Sequence, residues 1–195
     1  MNLILLLKRA ITVLLVISIT TLMYAFVSES AQARTIAIEV NYLNIAELND
    51  ELRLDAEIAY ELNSEVREAL INGIPMVFQV EVQIVALQKW LWDKVIITTV
   101  KTHLLKYHIL SKQYVLENLE TGESVSFPDL ESVLSKQGSV SAMYIAETDY
   151  LKEKENYVVQ LRSRLLSSEL PLPLRMKSYF SPKWRLDSGW YQWPL

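Results

Sequence analysis

A mainly β fold, an antiparallel β-sandwich of immunoglobulin-like type with two short crossover helices, is predicted by three features of the sequence. Apolar and polar residues alternate with period two in several separate stretches, as they do in strands with one packed and one wet face. Only two short segments combine a capping residue with an apolar helical stripe. Seven or more strand-like runs fill most of the remainder, which favours two sheets packed face to face.

Ahead of these elements lies an export segment. Lys8 and Arg9 form a positive cluster, and the uncharged run from Ala10 to Phe26 spans 17 residues, longer than a typical signal core and at the short limit for a membrane span. Ala31 and Ala33 then make the small-residue A-x-A pattern that a signal peptidase accepts. Residues 1–33 are therefore read as a signal peptide or an N-terminal membrane anchor, and 34–195 as the exported domain. The A-x-A pattern favours cleavage. In either case Lys8 and Arg9 stay on the cytoplasmic side and the domain faces the other compartment. A periplasmic location is expected, with inner-membrane anchoring as the alternative.

Within the domain, Ile36, Ile38, Val40 and Tyr42 define one face of a first strand. Leu52, Leu54, Ala56, Ile58 and Tyr60 define that of a second, against Arg53, Asp55 and Glu57. Ser64 is expected to cap a helix over 65–72, stopped by Gly73 in the left-handed conformation. A strand follows with Met76, Phe78, Val80, Val82 and Ile84 inward, then strands over 94–110 and 112–119 and a turn at Thr121-Gly122. Pro128 suits the first turn of a second helix that runs to Gln137 and stops at Gly138. Strands over 139–147 and around Tyr157 to Leu165 complete the set. In Leu170-Pro171-Leu172-Pro173-Leu174-Arg175 two prolines predict an extended, polyproline-like edge segment.

Composition narrows the function. The chain has no cysteine, which excludes disulfides, thiolate chemistry and a lipidated cysteine anchor. Removing Lys8, Arg9 and Glu29 leaves 17 basic against 22 acidic side chains, or −5. A mildly acidic domain is expected to have no electrostatic attraction for DNA, RNA or anionic lipid headgroups. Membrane contact is expected only through residues 10–26, if they are retained. No cofactor or metal site is expected, since four glycines build no phosphate-cradling loop. His103 and His108 are five apart on one strand, so they point to opposite faces. Asp55, Glu57 and Glu61 share a strand face with Arg53 nearby and read as a solvated surface.

The tryptophans stand out. Trp90 and Trp92 sit where one long strand turns into the next, and with Tyr107 they are a candidate platform for a glycan or an acyl chain. Trp190 and Trp193 lie within the last six residues, so the tail is expected to be docked on its own domain or on a partner.

Several stretches together resemble an uncharacterised proteobacterial exported family, the domain of unknown function four-three-nine-zero. They are Glu65 to Pro75, Trp90-Leu91-Trp92-Asp93, Leu110 to Tyr114, Leu170 to Arg175, Trp184 and Ser188-Gly189-Trp190. The resemblance spans about residues 35–193 and implies an exported protein without an assigned activity. The frequent neighbourhood of a membrane sensor kinase of the nitrogen-regulation type implies a signalling or envelope partner. Taken with the residues, it leads to a non-catalytic domain that binds an envelope or inner-membrane protein, with Arg175, Trp184, Trp190 and Trp193 as the partner face. The aromatic ligand platform is the alternative. An envelope hydrolase using Asp55, Glu57 or His103 comes third.

Overall fold

The computed structural model describes residues 38–88, 92–151 and 156–195. The segment expected to direct export, including Ala31, Ala33 and the 10–26 run, lies outside the described residues, as do Ile36 and Trp90.

Two antiparallel sheets carry the fold. The smaller has the order β1-β2-β7, built from Ile38–Leu48, Glu51–Tyr60 and Ser139–Glu147. The larger has the order β6-β5-β4-β3-β8-β9. Its strands are β3 Met76–Leu87, β4 Lys94–His108, β5 Gln113–Asn118, β6 Ser124–Phe127, β8 Asn156–Leu165 and β9 Tyr191–Pro194. The chain is a β-sandwich, as the alternation predicts. Its connectivity is not that of an immunoglobulin domain: β3 to β6 run as a plain meander within one sheet.

Helix α1 (Ser64–Ile71) leads from the small sheet to the large one, and α2 (Leu130–Gly138) leads back. Both helices begin one position or two away from the expectation. Asn63, not Ser64, caps α1 by accepting from the Val66 N–H at 3.1 Å. Pro128 lies one residue before the cap of α2 and not in its first turn; Asp129 caps the helix by accepting from Ser132 N–H at 2.7 Å. An amide or carboxylate oxygen serves this purpose wherever the extended backbone aims it at the free N–H groups of the first turn.

The period-two reading holds closely for β2, β3 and β8, whose inward residues are buried. In β1 it breaks. Val40 pairs with Ile58 but Tyr42 pairs with Glu57, so Asn41 is extra and the strand bulges. Past the bulge Leu43 turns inward and Tyr42 is left half exposed. Asn49 and Asp50 both have positive φ and close the tight β1–β2 hairpin.

The prolines of the C-terminal segment mislead in a different way. Leu172–Phe180 is a helix, α3, with Pro171 at its N-cap and Pro173 in its first turn. There the missing N–H is no loss, because first-turn donors have no intrahelical partner. The 3-10 turn Pro182–Trp184 follows and buries Trp184 to 1% exposure.

Gly138, the last residue of α2, must be glycine for steric reasons: a Cβ there would sit 1.9 Å from the Ile58 carbonyl oxygen. Gly138→Ala should therefore destabilise the domain by about 2 kcal/mol or more, read as a lower urea midpoint at unchanged slope. A midpoint equal to the parent's would refute this close-packing account.

Candidate functional site

The C-terminal segment builds the site. After Trp184 the chain runs back along β8, where Leu165 N–H bonds the Leu186 carbonyl at 2.9 Å and Arg164 bridges to Asp187. The pairing then slips by one residue before β9, where Leu161 faces Tyr191. Gly189, at φ +69°, makes this slip possible.

Asp187 organises the bend. Its carboxylate accepts from the Gly189 N–H at 2.9 Å and from Arg162 Nε at 2.8 Å, and Arg162 Nη2 reaches its other oxygen. Burial alone would raise the Asp187 pKa. The hydrogen bonds from Arg162 and Gly189, with the charges of Arg162 and Arg164, outweigh it and hold the group below its ordinary value. The Arg162 guanidinium lies 5.7 Å from the centre of the Trp190 ring, within cation–π range. Trp190 is thus fixed in place while 38% of it stays exposed.

Beside it, Arg164 donates to Gln79 and Glu81. On the opposite side of β9, Tyr191 and Trp193 pair with Leu161 and Val159 on the inward side of the large sheet, yet remain more than a third exposed. Leu195 N–H bonds the Tyr157 carbonyl, so alternate residues 191, 193 and 195 turn their main-chain groups to β8. Gln192 and Pro194 turn theirs to the free edge, where proline forfeits no ladder bond.

The structure divides the expected partner face. Trp184 is a core residue: its Nε1 donates to Glu65 at 3.3 Å, and its burial removes it from any exposed face. Arg175 sits on α3, donating to the Leu170 carbonyl. Trp190 and Trp193 share the tail but project from opposite sides of it. The ligand platform is also taken apart. Trp92 precedes β4 and is almost fully exposed, whereas Tyr107 packs on Tyr114 at 4.8 Å near the other end of that strand. About 13 strand residues, roughly 40 Å, separate the two ends.

A groove of about 590 Å³ opens between β2, α1 and α2, lined by Ile58, Tyr60, Leu62, Arg67, Leu130 and Leu134 among others. Asp55, Glu57 and His103 are not among its lining residues. Asp55 instead accepts from Ala142 N–H at 2.8 Å, supporting a strained bulge at φ +47° in β7. His103 is half buried beside Gln137; burial first, then the Lys101 charge, lowers its pKa and keeps the ring neutral near pH 7. Among the described residues no cluster of three or more His, Asp or Glu could hold a metal ion, and no helix is long and apolar enough to cross a membrane.

The family described as Domain of unknown function (DUF4390) matches residues 36–194. The chain belongs to this family. No curated protein and no solved structure matches it. The DUF4390 match takes in every described element from β1 to β9, so the tail that carries Trp190 and Trp193 lies inside the family domain.

Sequence reasoning passed over Arg162 and Asp187 and gave Gly189 no role beyond the family resemblance. The available signal was the Asp187-Ser188-Gly189 turn placed opposite the polar side of β8. It also passed over Glu65, which joins α1 to the C-terminal segment by accepting from Lys177 and Lys183 at 2.7 and 2.8 Å. Those two hydrogen bonds hold its pKa down at about 2. A depressed carboxyl contributes stability above its ordinary pKa and loses it as pH falls through the folded value. The joint should therefore loosen between about pH 4.5 and 2. The indole N–H resonance of Trp184 should report that step, and Glu65→Gln should abolish it; an acid-induced shift that survives the substitution would assign the step elsewhere.

Proposed function

We propose that this DUF4390 domain is a non-catalytic periplasmic protein that binds another envelope protein through the β9 edge. The observation that carries the reading is the way the tail is built. A left-handed glycine, an ion pair and a cation–π contact fix Trp190 half exposed on one side of an edge strand. Tyr191 and Trp193 stand half exposed on the other side. An edge strand with aromatic side chains on both sides suits a partner that adds its own strand, because an added strand places alternate side chains on both faces. Pro194 shortens the free edge, which limits unwanted edge-to-edge pairing. The basic, apolar leader supports export, and the family resemblance makes the sensor domain of a membrane kinase one partner to look for.

Removing residues 188–195 would strip a strand from the large sheet, so point substitutions are the cleaner test. With a photo-crosslinking residue at Gln192 in the full chain, a discrete envelope protein should be captured in cells. Trp190→Ala with Trp193→Ala should weaken that capture at least about tenfold, as loss of two aromatic anchors does, while far-UV circular dichroism keeps the parent's strand signature at the assay temperature. Undiminished capture in the double variant, or no captured protein at all, would defeat the proposal.

A further inference from the structure

One end of the sandwich has a character that the average composition hides. Tyr60 at the end of β2 touches Phe78 near the start of β3, with ring centres 5.4 Å apart. Phe78 pairs with both His103 and Leu165, and Tyr60 pairs with Ile38. So α1, the β4–β5 turn, α3 and the opening of β1 all gather at this end. The chain enters the domain here, downstream of the uncharged run Ala10 to Phe26.

Helix α3 turns Leu174 and Ser178 toward the domain and leaves an apolar stripe outside. Leu172, Met176, Tyr179 and Phe180 are 70%, 57%, 62% and 82% exposed. At about 100° per residue they fall within an arc of roughly 100°. Arg175 and Lys177 flank the arc on its two sides; Lys177 shares the single Glu65 carboxylate with Lys183, which leaves that group a net positive charge. Ile109 and Leu110 stand exposed in the neighbouring β4–β5 turn, next to Lys112.

The charge follows the same division. Residues 170–186 carry Arg175, Lys177, Lys183 and Arg185 and no acidic side chain. Adding Arg67, Glu65 and Glu68 of α1 and the adjacent Glu169 gives five basic against three acidic, or +2. The rest of the exported domain then holds 12 basic against 19 acidic, or −7. A short basic helix with an exposed stripe of Leu, Met, Tyr and Phe has the make-up of an interfacial membrane helix.

We propose that α3 docks on the surface of a bilayer with anionic headgroups, laying Leu172, Met176, Tyr179 and Phe180 into the boundary region while the flanking cations meet the lipid phosphates. This contact is separate from the β9 edge and does not depend on it. It replaces the expectation, drawn from net charge, that only residues 10–26 touch lipid. The acidic remainder of the domain would be turned away from the membrane, leaving β9 accessible.

The absence of cysteine makes the test direct. Full-length chain bearing Met176→Cys, or Trp92→Cys at the opposite end, is labelled with a nitrobenzoxadiazole fluorophore and reconstituted into vesicles containing nitroxide-labelled lipid. In equimolar phosphatidylglycerol and phosphatidylcholine, the label at 176 should be quenched at least about threefold more than the label at 92, as shallow insertion of one helix face requires. In pure phosphatidylcholine or at high salt this difference should vanish. Leu172→Ser with Phe180→Ser, both at exposed positions, should abolish it without lowering the melting temperature. Equal quenching at the two positions, persistence in the serine variant, or indifference to lipid charge would overturn the proposal. Shielding of the 176 label by an envelope protein in the absence of lipid would overturn it in favour of a protein contact.

Discussion

A three-stranded sheet cannot cover a six-stranded one. With strands about 4.8 Å apart, the small sheet is roughly half as wide as the large sheet, so much of the large sheet's inner side needs another cover. The remaining elements are distributed accordingly. Helix α2 packs over β5 and β6 with Val133 fully buried, and Trp184 with Leu170 and Leu186 closes the end beside α1. At the β9 flank the cover runs out, and there Tyr191 and Trp193 remain partly in water. The partial exposure of Tyr191 and Trp193 is thus a consequence of unequal sheet widths.

The two sheets are held in one relative position by a polar contact inside the core. The Tyr60 hydroxyl meets Ser163 Oγ at 2.7 Å across the interface, and Gln137 Nε2 reaches the same hydroxyl at 3.4 Å. Strand β2, strand β8 and helix α2 therefore share one buried oxygen. Burial raises the Tyr60 pKa and outweighs its hydrogen bonds, so the group stays a neutral donor and acceptor. Such a pair specifies alignment more than it adds stability, since apolar contact alone tolerates sliding. Its place at the loaded end matters, because α1, α3 and Trp184 all take their positions from that alignment.

Most of the sandwich was legible in the sequence because β2, β3 and β8 are packed on one side and wet on the other, which imposes a period of two. The reading failed where a local event broke the period. Asn41 is one extra residue, and nothing in the pattern distinguishes it from its neighbours before the partner strand is known. The prolines 171 and 173 point to an extended, polyproline-like segment, although Leu172, Met176, Tyr179 and Phe180 recur at helical spacing behind them. Proline excludes a helix interior but not its first turn, so the spacing was the better guide. Trp184 illustrates the converse limit: a tryptophan among prolines and lysines can be core or surface, and here the fold sets it in the apolar cluster with Leu170 and Leu186, with its indole N–H on Glu65.

Net charge is a blunt guide for a related reason. An average over 162 residues says little about a surface, because attraction to a charged plane is felt over about one Debye length, near 10 Å at moderate salt. Four cations on a short segment can dominate that distance while 19 carboxylates lie elsewhere on the domain. The separation also orients: a domain positive at one end and negative over the rest is turned by an anionic bilayer before any contact forms. The same C-terminal segment then supplies the apolar helix at that end and, beyond Asp187, the aromatic strand that runs away from it along β8. Glu65 joins the segment to α1 between these two parts, so displacement of α3 at a membrane would be transmitted to the core through the Trp184 indole rather than absorbed by a loose tail.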